Sequence, residues 1–375
     1  MRAAVFHPET GITVGPVPEP TLQPGEALIA IEACGVCGSD KQVVAGEPAP
    51  KGTVFPVILG HEIAGRIVAL GDPLDLPTPE GKPATVHDTR DQRDAPADWT
   101  SHGHITSVRF TIGDEVLVFP FIPCGTCLQC ERGSENLCTH QILVGYHRPG
   151  GYAERIVVPT KVLLKRPPGI PAAAAALLVD AFATPFHALS NHGGIQDTDY
   201  VIVIGTGGTG LAGLMLAKAM GSRAVGAVTR RDSASDAAMD AGADMVWIHR
   251  DERRVAREIR RWSEGGADIV LDTVGSRESV EFGLSFVRPG GRLCVIGMGP
   301  GEASVPIAKA VRLAVTIAGS FGSAKGDVEQ LIALTENGRL NPGRLVGGTF
   351  PLQQIKQAFL PNTRSGRAVI VPGQA

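Results

Sequence analysis

The chain has 375 residues, 43% of them hydrophobic and 19% charged, with a formal net charge of -3. That length exceeds what one ordinary hydrophobic core serves, so two domains are expected. The charge excludes the basic footprint of a nucleic-acid or anionic-membrane binder, and no apolar run reaches the length of a membrane span. The longest, Ala172 to Val179, stops at Asp180.

In chain order, Met1 to Phe6 carries no apolar signal-peptide core and reads as a first strand, which points to a cytoplasmic protein. The first third continues as short strands with Gly and Pro punctuation, over Ala27 to Cys34, Glu62 to Leu70 and Glu115 to Phe119. The polar stretch at about 72–108 contains His87, His102 and His104 and is unusually long for a loop in a compact domain. It is expected either to cover a cleft or a subunit interface, or to be a solvated excursion. Ala172 to Leu178 is helix-prone. From Tyr200 onward strands alternate with helices: strands over Val201 to Ile204, Ala224 to Val228, Asp268 to Asp272 and Arg292 to Ile296, and helices over Leu211 to Met220 and through Met239. This alternation predicts an α/β domain with a parallel sheet covered on both faces. A helix over Asp327 to Glu336 and a strand over Ala368 to Val371 are expected to return to the first domain.

Seven cysteines in a reducing compartment argue for metal before disulfides. Cys124, Cys127, Cys130 and Cys138 fall in one short stretch. Two-residue gaps let three sulfurs face one point, and a longer loop returns the fourth, which is the donor set of a closed, structural zinc. Further along, Gly205, Gly207, Gly208 and Gly210 lie between an apolar strand and a helix start. Such glycines let the backbone approach a dinucleotide pyrophosphate seated on the helix N-terminus, the signature of a Rossmann fold.

With these features goes the discontinuous pair Cys34-Gly-Val-Cys37-Gly-Ser39-Asp40 and Gly60-His61-Glu62. Taken in order, the motifs resemble the zinc-containing medium-chain alcohol dehydrogenase family along nearly the whole chain. The resemblance implies a mainly β GroES-like catalytic domain at 1–181 and 322–375, with the zinc lobe at about 120–140, and a Rossmann cofactor domain at 182–321. It implies a catalytic zinc on Cys37, His61 and Asp180, with one position open for the alkoxide or carbonyl oxygen of substrate, and hence two zinc ions per chain. Ser39 is then the hydroxyl that passes the substrate proton, Asp40 the acid that orients His61, and Glu62 a neighbour of the zinc. Thr184 is expected near the nicotinamide. Many members carry a relay histidine a few residues after the zinc cysteine, where this chain has Lys41-Gln42.

Thr229 stands where NAD-binding members have a ribose-binding acid, and Arg230 and Arg231 follow it. A hydroxyl followed by two guanidinium groups suits a 2′-phosphate, so NADP(H) is favoured over NAD(H). Arg367 resembles a position that reaches the cofactor phosphates. A homodimer or homotetramer is implied, with the strands near Leu293 to Met298 and Thr316 to Ser320 at the interface. The expected activity is hydride transfer between an alcohol, or its aldehyde or ketone, and a nicotinamide cofactor. A polyol or sugar-alcohol dehydrogenase is the near alternative. A non-catalytic NADPH-binding protein would not need Cys37, His61 and Asp180, and a purely structural zinc protein would not need the glycine loop.

Overall fold

A computed structural model describes residues 1–72, 109–360 and 365–374. All of the polar stretch at 72–108 except Asp72 therefore lies outside the described residues, its three histidines included.

The central strand of the first sheet is Glu26–Gly35, in which Ala27, Ile29, Ile31 and Ala33 are buried at alternate positions. That period of two places one face on a core. It pairs antiparallel with Glu62–Leu70, with Arg155–Pro159 and, at its last residues, with Arg367–Val371. Glu115–Val118 and Leu163–Lys165 extend one edge, and Val346–Pro351 the other. Segments from both ends of the chain thus build one sheet. A two-stranded ladder, Phe121–Ile122 with Ile142–Leu143, frames the four-cysteine stretch.

The second sheet has six parallel strands in the spatial order Met245–Ile248, Ala224–Thr229, Tyr200–Ile204, Ala267–Asp272, Val287–Val295, Thr316–Gly319. Numbered within the sheet this is 3-2-1-4-5-6, the doubly wound dinucleotide-binding order. Its strands read as apolar runs because helices cover both faces. Val201, Ile202 and Val203 have no exposure at all. The helix Gly208–Ala219 is buried over most of its length. It starts three residues before the expected Leu211, because the glycine turn closes directly into the first helical turn.

The apolar run at Ala172 is not one helix. A short α turn, Ala172–Ala175, tightens into a 3₁₀ turn, Ala176–Val179, and the chain restarts as helix at Ala183–His187. Pro185 accounts for the break: it has no N–H to give, and its ring would meet the carbonyl of Ala181 in a continuous helix. The break turns Asp180 outward from an otherwise apolar segment. No single helix among the described residues is long and apolar enough to cross a membrane. The bent pair Ala172–Val179 and Ala183–Gly193 comes nearest, and most of it lies in the core.

Candidate metal and nucleotide site

Cys37 precedes the short helix Gly38–Val44, His61 and Glu62 open the strand Glu62–Leu70, and Asp180 sits in the helix break. One ligand atom from each of these four lies within 4.8 Å of all the others. Cys37 Sγ is 3.2 Å from Asp180 Oδ2, and His61 Nε2 is 3.7 Å from the same oxygen. Ligand atoms at about 2.0–2.3 Å from one tetrahedral ion stand roughly 3.3–3.8 Å apart, so the donors fit a single zinc. The electrostatics also favour a cation. Burial pushes the Cys37 thiol up and Asp180 pushes it further, while Arg367 and His61 work the other way. Burial drives Glu62 up to about 8 against the pull of Arg367. Asp180 is held well below the usual carboxylate range: burial opposes its charge, but hydrogen bonding and charge from His61 outweigh it. Burial opposes a charge on His61 too, yet Asp40 and Asp180 raise it.

Asp40 is fully buried, with Oδ1 3.5 Å from His61 Nδ1. That spacing is a near contact, longer than a hydrogen bond. Its actual donors are two tyrosines that sequence reasoning missed. Tyr152 donates to Oδ2 at 2.6 Å, and Tyr146 reaches Oδ1 at 2.9 Å and Ser39 Oγ at 3.0 Å. A phenol has one hydrogen, so if it goes to Asp40 the Tyr146 oxygen accepts from Ser39. One signal could have found them: the chain has only three tyrosines, and two lie six residues apart beside glycines.

Thr184 Oγ1 donates to Asp180 Oδ1 at 3.0 Å, which ties the first helical turn after the break to the metal cluster. Cys34 and Cys294, which carry no expected chemistry, are fully buried.

The four-cysteine cluster also converges. Cys124, Cys127, Cys130 and Cys138 have their sulfurs within 4.8 Å of one another, and all seven cysteines of the chain are free thiols. Hydrogen bonds from Thr126 bring the Cys124 thiol down to about 5, while desolvation and its neighbouring sulfurs push Cys130 up to about 12. Sulfurs this close resist shared ionisation unless a cation joins them, which is what a closed zinc site supplies.

Beside the first cluster opens a cleft of about 540 Å³. Gly205, Gly207, Gly208 and Gly210 line it, together with Gly38, Thr206, Thr229, Arg230, Arg231, His249, Ser279 and Arg367. It lies at the C-terminal ends of the parallel strands, at the switch point between Tyr200–Ile204 and Ala267–Asp272. Gly205 has φ +97°, a conformation that side chains resist, and a Cβ on Gly210 would come within 2.0 Å of the Gly205 carbonyl oxygen. The turn therefore closes tightly enough to aim the start of Gly208–Ala219 into the cleft.

The Thr229 hydroxyl is 2.8 Å from that of Thr206. Arg230 and Arg231 are exposed at the rim. Asp232 does not cap a helix: Arg231 holds the N-cap position of the following turn, and Asp232 pairs with Arg250. Arg367 is buried between cleft and metal cluster, with its guanidinium 3.1 Å from Glu62 Oε1 and 3.3 Å from Thr209 Oγ1.

Comparison with known proteins follows this division of the chain. Residues 23–96 and 99–168 match the alcohol dehydrogenase GroES-like domain, and residues 208–337 match the zinc-binding dehydrogenase domain. The L-threonine 3-dehydrogenase of Pyrococcus abyssi is 30% identical over 343 residues, 89% of this chain and 86% of its own. The chain belongs to the zinc-type medium-chain dehydrogenase family. An alcohol dehydrogenase of Geobacillus stearothermophilus is 28% identical over 363 residues, covering 96% of this chain and 94% of that one. The solved structure of an NAD-dependent alcohol dehydrogenase superposes with a TM-score of 0.83 at 26% identity, over the full length of both chains. Family membership makes the protein an oxidoreductase with a GroES-like and a Rossmann domain, and makes its substrate a small molecule.

Proposed function

We propose that the protein transfers a hydride between an alcohol, or the corresponding aldehyde or ketone, and NADP(H), and that it holds two zinc ions per chain. The observation that carries this reading is the convergence of Cys37, His61 and Asp180 beside Arg367, which lines the glycine-rich cleft and lies 3.8 Å from Asp180 Oδ2. These three donors would hold a catalytic zinc with a fourth position open, and Cys124, Cys127, Cys130 and Cys138 would hold a closed one. Bound at the open site, zinc supplies Lewis acidity that eases loss of a hydroxyl proton and polarises a carbonyl. The chain's own residues do the rest. Ser39, held by Tyr146, takes the substrate proton. Asp40 faces His61 Nδ1 and biases the ring proton onto it, which leaves Nε2 to bind metal. Glu62 stands ready as an alternative donor. Thr184 fixes Asp180 and, by the family resemblance, would lie near the nicotinamide. Gly205 to Gly210 and Arg367 receive the pyrophosphate.

The preference for NADP(H) rests on the rim of the cleft. It carries Arg230 and Arg231, it has a hydroxyl at Thr229, and the acid that follows the arginines, Asp232, is engaged by Arg250. We draw the catalytic domain at 1–181 and 322–375, in keeping with the return of Arg367–Val371 to the first sheet, and the cofactor domain at 182–321. The reading includes a homodimer or homotetramer in the cytoplasm. Thr316–Gly319 is an edge strand whose Ile317 is exposed, and the helix Ile307–Leu313 beside it has no buried residue, so this edge invites self-pairing. Seven free thiols suit a reducing compartment.

The deciding experiment is a spectrophotometric screen of the zinc-replete protein with both cofactors against primary, secondary, cyclic and polyhydric alcohols and their carbonyl partners. Turnover of a polyol alone would move the assignment to sugar alcohols, and no turnover anywhere would end it.

A further inference from the structure

We infer that His249 reads the 2′-phosphate of the dinucleotide by taking up a proton as it binds. This rests on the NADP(H) reading above.

Its position is the first observation. His249 follows the strand Met245–Ile248, which pairs in parallel with Ala224–Thr229 and so delivers its C-terminal end to the same rim of the cleft. The backbone N–H of His249 donates to the Thr229 carbonyl at 2.7 Å, which pins the residue beside the Thr229–Arg231 turn. Its ring packs on Phe282, with centroids 4.4 Å apart, and both residues line the cleft.

The second observation is an unmet valence. The side chain is 13% exposed, and Nε2 is buried without a hydrogen-bond partner. A buried polar nitrogen in that state is costly unless a ligand or water completes it.

The third is the local charge. Glu252, three residues on, has Oε1 3.7 Å from Nε2. On the turn after Ala224–Thr229 lie Arg230, Arg231 and Asp232, the last already paired with Arg250 from beside the histidine. Glu278, on the helix that supplies Phe282, faces Arg230. Burial depresses the proton affinity of His249, Glu252 opposes that, and Arg230 reinforces it. The ring is therefore neutral near pH 7 in the free pocket. A doubly charged phosphate drawn in by Arg230 and Arg231 cancels their repulsion and adds attraction, so the imidazole gains a proton and a second donor. A nucleotide lacking the 2′-phosphate offers neither.

Linkage makes this measurable. A tenfold rise in the proton affinity of the ring on binding requires about tenfold tighter binding on the acid side of its titration than on the alkaline side. The test uses the full-length, metal-loaded protein and two ligands without a nicotinamide ring, adenosine 2′,5′-bisphosphate and ADP. Calorimetric titrations run in buffers of different ionisation heat, between about pH 6 and about pH 8, across the range where histidine titrates. The bisphosphate is expected to take up a fraction of a proton per chain near neutrality and to bind about tenfold more weakly at the alkaline end, while ADP should show no such uptake and only the opposite trend of its own terminal phosphate. The ligand's own phosphate, with a second pKa of about 6, gives the opposite sign, because the dianion binds better. His249→Gln should abolish the uptake and leave that opposite trend, while ADP binding checks that the pocket is intact. His249→Asn repeats the arm if the glutamine variant does not fold. Bisphosphate binding without proton uptake, or with uptake undiminished in the variants, overturns this inference and leaves the NADP(H) reading standing. Binding of ADP but not of the bisphosphate overturns both.

Discussion

Arg367 and Glu62 form a buried ion pair at 3.1 Å, and the same guanidinium nitrogen lies 3.3 Å from Thr209 Oγ1 at the start of the nucleotide-binding helix. One side chain thus touches the metal cluster and the glycine loop together. Removing one partner of a buried pair strands the other charge, at about 3–5 kcal/mol. Arg367→Ala is expected to lower stability by about that much in urea unfolding above about pH 8, where Glu62 is ionised, and by less near pH 7, where its carboxyl holds a proton and Glu62→Gln should change little.

The pair also sets a pH dependence in the metal-stripped protein. Glu62 in the folded state titrates at about 8, above the ordinary 4.5. A carboxyl raised in this way binds more protons folded than unfolded between those values. Its contribution to stability is therefore full below about pH 4.5 and is lost as pH rises to about 8. Thermal melts against pH should show Glu62→Gln gaining on the parent over that window and holding a constant lead above it. Parallel profiles would mean that Glu62 ionises normally.

The two candidate metal sites should separate in one set of metal analyses. Cys37→Ser or Asp180→Asn is expected to reduce zinc from about two ions per chain to about one, and to abolish hydride transfer with little change in the melting temperature. Cys130→Ser should also remove about one ion, but its cost is structural, with proteolysis at 120–140 and a melting temperature lower by several degrees. Activity surviving in Cys37→Ser would end the catalytic assignment.

Arg230 and Arg231 offer charge-assisted hydrogen bonds, worth about 1.5–3 kcal/mol each. Replacing both by alanine should weaken NADP binding by at least about a hundredfold and leave NAD binding within about threefold, measured by fluorescence quenching. Equal losses for both cofactors would argue that the arginines do not meet a 2′-phosphate.

Tyr146 spans Ser39 and Asp40. Tyr146→Phe removes about one net hydrogen bond, roughly 0.5–1.5 kcal/mol, and lets the Ser39 hydroxyl turn. The expected result is a fall in kcat of about tenfold with KM little changed, as for a group that matters in the transition state. A loss confined to KM would assign it to substrate binding.

Much of this was legible in sequence because the physics is local. The glycine turn between Val201–Ile204 and the following helix, and the spacing of Cys124 to Cys138, each declare their geometry within a few residues. Cys37, His61 and Asp180 are 143 positions apart end to end, and only resemblance to a family linked them before the fold brought them together. Tyr146, Tyr152 and His249 were missed because their roles depend on neighbours distant in the chain. Tyr146 meets Asp40 across 106 positions, and no periodicity or short motif encodes that contact. Asp232 is a related case: its partner Arg250 lies on the next strand-to-helix turn, beyond the reach of any local pattern.

The return of Arg367–Val371 to the first sheet orders events during synthesis. Val36 and Arg367 are 331 positions apart, yet a guanidinium nitrogen of Arg367 reaches the Val36 carbonyl at 3.4 Å. Until Arg367–Val371 has emerged from the ribosome, the end of Glu26–Gly35 that pairs with Val369 and Ile370 has a bare edge just before Cys37. The nascent chain must carry reactive thiols and an unpaired strand side by side for nearly its whole translation. Such an edge is open to wrong partners, and contacts of this sequence separation form slowly. Loss of the strand Arg367–Val371 should therefore be felt at the distant strand Glu26–Gly35, as a failure to mature.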